Sequence, residues 1–270
     1  MLFAYSHWVG TKLFSRKPPR IVLAGGVKIG EWLSFSEYWG FQNIIPEPER
    51  LFVERYLSKK VAGRGGTAFD IGANVGAFTC LMAAMGASKV HSFEPVPETF
   101  CRLRSNVKNN ELLDRCYLNC MAVGRGRDLV EFNIQENSPA TNRMIMPGEK
   151  PLHKTSSTQI VASIDLDSYC QSQGIEFIDF LKLDVEGMEP YVMQGATTLF
   201  KQRKIAAVLI EICPGNLRSV GLSPANLYHE FETAQYYPYA LNDDGQPGVK
   251  LSLAEIEAMS LANVVLLPNA

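Results

Sequence analysis

The chain has almost nothing that would mark it for a membrane, a nucleic acid or an oxidising compartment. No apolar run reaches the ~18 residues of a membrane-spanning helix. The longest strongly apolar stretch, Ile205 to Cys213, is broken by Glu211 and has the length of a strand. There is no excess of either charge: the formal net charge is −2, so no global basic field exists to hold nucleic acid. The six cysteines include no CxxC pair, and reduced core thiols in a cytoplasmic protein are expected. The start, MLFAYSHWVGTKLFSRKPPR, lacks the cationic opening and continuous apolar core of a secretory signal. Its apolar and basic residues do not separate into two helical faces, so stable membrane binding is not expected. A lid, or an arm that builds a homodimer, is the better reading of that segment. With 46% apolar and 20% charged residues over 270 positions, a single α/β domain with a terminal extension is expected.

A dinucleotide fingerprint is also missing. Residues 69–76 read FDIGANVG: an apolar strand ending in an acid, a glycine-spaced turn, then a helix from about Val75. Counted from Gly72, G-x-G-x-x-G would need glycine at positions three and six, but Asn74 and Ala77 stand there. The glycine that admits a pyrophosphate is therefore absent. Gly72 and Gly76 suit a tight reversal and close approach of a ligand, and the helix start aims free N–H groups at it. Asp70, two residues before the first glycine, would repel a diphosphate but suit an ammonium group. S-adenosylmethionine carries such a group and no phosphate.

The next strand, Lys89 to Glu94, ends in a second acid before Pro95 and Pro97. Glu94 lies near the spacing, roughly 20 residues, at which a strand-end carboxylate meets ribose hydroxyls. It accepts both hydroxyl hydrogens at once, and it can also serve the helix opened by Pro97. Phe100, Leu103 and Val107 then give that helix a buried face.

Further on, DFLKLDVEGMEPYVMQGA at 179–196 places Asp184, Glu186 and Glu189 at the end of a nearly continuous apolar strand, Phe177 to Leu183, interrupted by Lys182. Glu211 ends the following strand, Ala206 to Glu211. Ligands in open α/β sheets bind beyond the carboxyl ends of strands, and converging carboxylates raise one another's pKa and suit general-base work. Asp184 is the first choice of base and Glu211 the second; Glu189 is read as favouring a helix N-terminus. Clustered carboxylates also suit Mg²⁺, which would bring in Asp184, Glu186 and Glu211 together; no metal is required by the pattern.

FDIGANVG, HSFEPVPETF, NCMAVG at 119–124 and DFLKLDVEGMEPYVMQGA together resemble the FkbM-type methyltransferases, over about residues 45 to 215 and including IPEPER at 45–50. KLDVEG is the most specific segment. The resemblance implies an S-adenosylmethionine-dependent enzyme that methylates hydroxyls of sugars, polyketides or other natural products. It implies a class I methyltransferase fold: a Rossmann-like, mostly parallel sheet of seven strands, the last antiparallel, flanked by helices. It also implies a cofactor site at Asp70, Gly72, Ala73, Asn74, Gly76, Glu94, Pro95 and the backbone around Ala122. Alternatives from other classes are an NAD(P)-dependent oxidoreductase, disfavoured by Asn74 and Asp70, and a cofactor-binding module without catalysis, disfavoured by the acids at both strand ends.

Two regions fall outside this pattern. Residues 1–62 are expected to form an arm and an aromatic cap, with Trp32, Phe35, Tyr38, Trp39 and Phe41 within ten positions, ahead of a catalytic domain over 63–270. Residues 127–163 read as an inserted hairpin: Asp128 to Ile134 alternates like a half-buried strand, with Gln159 to Ile164 as its return. The polar, proline-marked segment 135–158 between them is expected to be a lid that carries Asn142 to the cofactor, with Arg143 and His153 in reach of the same edge.

Overall fold

A computed structural model describes residues 20–30, 32, 38, 45–58, 66–135, 143–145 and 156–269. In chain order, β1 (Ile21–Val22) and β2 (Lys28–Ile29) form an antiparallel pair, followed by α1 (Glu47–Tyr56). Then come β3 (Thr67–Ile71), α2 (Ala77–Ala84), β4 (Lys89–Phe93), α3 (Pro97–Asn109) and β5 (Cys116–Asn119). After β6 (Ala122–Val123), the insertion holds β7 (Asp128–Gln135), β8 (Arg143–Met144) and β9 (Ser156–Ile164). The second half runs α4 (Leu166–Gln173), β10 (Phe180–Leu183), α5 (Glu189–Gln194), α6 (Thr197–Lys201), β11 (Val208–Ile212), α7 (Pro214–Ser219) and α8 (Pro224–Ala234). It closes with β12 (Tyr236–Leu241), β13 (Pro247–Lys250), α9 (Leu253–Ala258) and β14 (Ala262–Pro268).

Local chemistry explains most of the helix starts. Proline, whose missing N–H is not needed in a first turn, opens α3, α7 and α8. Ser223 and Ser252 close reciprocal capping boxes with Asn226 and Glu255, and Asp165 caps α4 through Ser168 N.

The main sheet has the order β13-β12-β14-β11-β10-β3-β4-β5. Strands β5, β4, β3, β10 and β11 are parallel to one another, and β14 runs antiparallel to β11 and to β12. This is the expected seven-stranded sheet with its last strand reversed, plus an eighth strand. The extra strand, β13, pairs antiparallel with β12 across the turn at Asn242–Gln246. Pro247 argues against a strand, but its missing N–H is tolerated at a sheet edge. Apolar clusters cover both faces of the sheet. In β10, Leu181 and Leu183 enter one cluster and Phe180 the other, as alternation along a strand buried on both faces requires.

The inserted hairpin forms as the alternation predicts, with pairing from Asp128↔Ser163 to Gln135↔Ser156, so its return strand starts three residues earlier than expected. Phe132, Ile134 and Val161 pack on Val96 and Ala122, which sets the hairpin against the carboxyl edge of β4. The expected lid contacts Asn142 and His153, and Phe35, Trp39 and Phe41 of the aromatic cap, lie outside the described residues. The described part of the N-terminal region packs into the main core: Val27, Ile29, Trp32, Tyr38, Phe52 and Val53 share a cluster with Val90, Leu103 and Phe180. Asn106 of α3 and Asn110, which caps its C-terminus, tie β2 down by accepting from Gly30 N (3.0 Å) and Lys28 N (2.8 Å).

Candidate functional site

The loop after β3 is held by the edge of β4. Gly72 N and Ala73 N both donate to the Phe93 carbonyl, at 3.1 and 2.9 Å. Gly72 has φ +82°, and a Cβ there would stand 1.7 Å from the Asp184 carbonyl oxygen. Gly76, at φ +86°, is the N-cap of α2, and its Cβ would meet Leu103 Cδ1 at 2.4 Å. Chain reversal thus favours glycine at both positions, and at Gly72 the neighbouring backbone also leaves no room for a Cβ. The helix itself begins at Ala77, two residues later than the pattern predicts. Asn74 also sits at positive φ (50°), an uncommon conformation outside glycine. Its buried side-chain oxygen has no partner, whereas buried polar atoms are as a rule paired.

Asp70 is 2% exposed. Its Oδ2 accepts from the Thr79 hydroxyl at 2.5 Å, and Thr79 in turn contacts the Ser92 hydroxyl at 2.8 Å. Burial pushes its pKa up to about 6, opposed by the Thr79 hydrogen bond and the Lys182 charge. Asp70 therefore fastens the first turn of α2 to β3 and β4. Glu94, 6% exposed, accepts from Val96 N at 2.9 Å and Asn74 N at 3.0 Å. It joins the glycine loop to the start of α3, and burial pushes it up to about 7. Pro95 links Glu94 to Val96. Ala122 is buried at the start of β6, beside Val96.

Beside this loop, Asp184, Glu186 and Glu211 converge: each presents an oxygen within 4.8 Å of the other two. Gly72 touches the Asp184 carbonyl, so the loop and the acids form one continuous wall. Burial, then the charges of Asp184 and Glu211, push Glu186 up to about 8. Burial, then Asp184, push Glu211 up to about 7. Glu186 has φ 56° and accepts from Asn216 Nδ2 at 2.5 Å. Glu189, the first residue of α5, is held by the preceding turn: its Oε1 accepts from Val185 N and Gly187 N. Lys182, buried beneath, donates to Asp184 Oδ2 at 3.3 Å.

Sequence reasoning missed Thr79, Ser92, Lys182 and Asn263 as parts of this wall. Thr79 carried a usable signal: a hydroxyl in the first turn of α2, within reach of the acid that ends β3. Asn263 carried none, since it meets Lys182 only through the fold.

The chain is similar to several methyltransferases. A hexuronic acid methyltransferase, AglP, from Haloferax volcanii is 25% identical over 214 residues, covering 77% of this chain and 80% of that protein. A SAM-dependent methyltransferase from Agrobacterium tumefaciens superimposes with a TM-score of 0.49 at 11% identity, covering 93% of this chain and 70% of that one. An O-methyltransferase from Bacillus cereus, solved with SAH, gives 0.44 at 13% identity, covering 82% and 80%. The methyltransferase FkbM domain matches residues 70–236, more than half of the sequence, and the chain belongs to that family.

Proposed function

We propose that this protein transfers a methyl group from S-adenosylmethionine to a hydroxyl oxygen of a sugar, with Asp184 as the base. The observation that carries the oxygen assignment is the convergence of Asp184, Glu186 and Glu211 beside the glycine loop. Three acids in one small space disfavour a negatively charged acceptor group and offer a place for a proton. A carboxylate acceptor would meet repulsion and need no base. A hydroxyl is not repelled, and its oxygen is too weak a nucleophile without the proton removal that the acids can provide. The sugar assignment draws on the hexuronic acid methyltransferase relative. Family membership favours methyl transfer over the hydride transfer of a nicotinamide enzyme.

The donor fits the loop. Asn74 Oδ1, buried and without a partner, suits a ligand N–H. Glu94 keeps lone pairs beyond its two backbone donors for ribose hydroxyls, and Asp70 acts by fixing α2 and by its charge. Bound there, the donor supplies an electrophilic methyl on a sulfonium. Asp184, partly exposed at 31%, accepts the hydroxyl proton as the acceptor oxygen bonds to the methyl carbon and the carbon–sulfur bond breaks, leaving the neutral thioether. Glu211 is the second choice for that proton. Holding donor and acceptor in near-attack geometry is worth roughly 7–11 kcal/mol. Mg²⁺ fits this site poorly, because the Lys182 ammonium already stands 3.3 Å from Asp184 and would repel a divalent cation.

The test offers the protein the methyl glycoside of glucuronic acid, which carries free hydroxyls and a carboxylate, together with methyl-labelled donor. An alkali-stable methyl ether is expected. Asp184→Asn should lower its formation about 10²–10⁴-fold, with affinity for S-adenosylhomocysteine within about severalfold. An alkali-labile methyl ester, formed equally well by Asp184→Asn, would overturn the hydroxyl assignment.

A further inference from the structure

Lys182 is 1% exposed in the middle of the main sheet. Its neighbours along β10 are all apolar, and a methionine would fill the same space without a desolvation cost. An ammonium out of water costs several kcal/mol unless it is surrounded by partners. Lys182 has three fixed ones: Asp184 Oδ2 at 3.3 Å, Asn263 Oδ1 at 3.1 Å, and the Phe78 ring with its centroid at 5.2 Å. They come from the end of β10, from β14 and from α2, so the ammonium is clamped from three elements.

Sheet register explains why these groups meet. Lys182 pairs with Asp70 across β3 and β10, and Glu211 pairs with Asn263 across β11 and β14. A polar row therefore crosses the carboxyl edge of the sheet: Asp70, then Lys182 with Asp184, then Glu211, then Asn263. The charged groups that face the ammonium are Asp70 from β3, Asp184 from its own strand end, Glu186 from the following turn and Glu211 from β11. Asn263 and Phe78, from β14 and α2, are neutral. The lysine charge lowers the pKa of Asp70, Glu186 and Glu211 alike, against the upward push of burial.

We propose that Lys182 is a positioning residue for methyl transfer: held by Asn263 and Phe78, its ammonium orients the Asp184 carboxylate and supplies the positive charge that Asp184, Glu186 and Glu211 share. This rests on the reading of Asp184 as the proton acceptor. Loss of that charge would free the Asp184 carboxylate and leave Glu186 and Glu211 holding their protons to higher pH.

The experiment uses the full chain with carbon-13 in its glutamate carboxyls, the Glu211 signal being assigned through Glu211→Gln. Carboxyl titration is followed by NMR, and affinity for S-adenosylhomocysteine by calorimetry. Lys182→Met should raise the Glu211 midpoint by about one pH unit or more, while Lys182→Arg, which keeps the charge, should return it towards the wild-type value. Affinity should stay within about threefold in both, since neither touches the donor loop. A Glu211 midpoint unchanged in Lys182→Met would overturn the proposal and leave Lys182 as packing. If that variant does not fold, Asn263→Ala decides: it frees the ammonium, so a raised midpoint supports the clamp and an unmoved one overturns it. Failure of the wild type to bind S-adenosylhomocysteine would instead sink the methyl-transfer reading, whatever the titrations show.

Discussion

The ligand-free protein should lose stability as the solution turns alkaline, because its site stores protons that the unfolded chain gives up. Glu94 and Glu189 titrate at about 7, and Glu186 and Glu211 at about 8 and about 7, against an ordinary 4.5. Burial is the first cause in each. A carboxyl whose pKa is raised by folding contributes stability in full below its unfolded value and loses it as pH climbs through the folded value. His91 acts the other way. Burial depresses it from 6.5 to about 4, so its contribution is lost as pH falls, but above pH 6.5 it is neutral in both states and drops out. Buried Cys80, Cys116 and Cys170 are raised by burial too, and they begin to count as unfolded thiols ionise at about 8.5. The clean window thus runs from about pH 6.5 to about 8, where unfolded glutamates (about 4.3) are fully ionised. Across it, a buried glutamate with a midpoint near 7 loses about 1 kcal/mol. Glu94 and Glu189 contribute one such loss each. The crowded Glu186 and Glu211 are mutually dependent and are counted together as about one more, for a total of about 3 kcal/mol. For a chain of this size that is a fall of about 6–12 °C in Tm. Calorimetry at constant ionic strength, without donor, reads it directly. Glu94→Gln should flatten the slope by about one third. A Tm that holds steady or rises across this window would refute the assignment of protons to these four side chains.

Two further substitutions separate the roles of the donor loop. Glu94→Ala should weaken S-adenosylhomocysteine binding by about 1.5–3 kcal/mol, the range for a hydrogen bond to a charged acceptor; calorimetry showing unchanged affinity would remove Glu94 from the donor site. Gly72→Ala should prevent folding or lower Tm sharply, because its methyl would overlap the Asp184 carbonyl and its φ of +82° is strained for alanine. A Gly72→Ala protein with wild-type Tm and weakened donor binding alone would show that ligand approach, and not packing, demands the glycine.

The parts of this structure that were legible in the sequence are those whose cause is local. Alternation over Asp128 to Ile134 reveals a strand with one covered face, and the pairing of β7 with β9 follows. Strands β10 and β11 read as apolar runs because both faces are covered, and acids at their ends stand out for the same reason. What stayed hidden depends on register between distant segments. Lys182 looked like a flaw in an apolar strand, yet it is a group with a fixed partner 81 residues away. The backbone crowding at Gly72 was hidden as well, because the Asp184 carbonyl it meets follows a strand far along the chain. The strand β13 at Pro247–Lys250 had no signal, since only the sheet order shows that it is an edge where proline is tolerated. These cases share one physical basis. A parallel sheet brings the ends of separate strands to a common edge, so each strand can carry one polar residue that is costly alone and satisfied only in the row. Asp70, Lys182 and Glu211 each break an otherwise apolar pattern in their own strand. Register sets Asp70 beside Lys182, and Glu211 follows two residues beyond Leu209, the β11 partner of Lys182. Three costly residues thus make one shared charge system at the sheet edge.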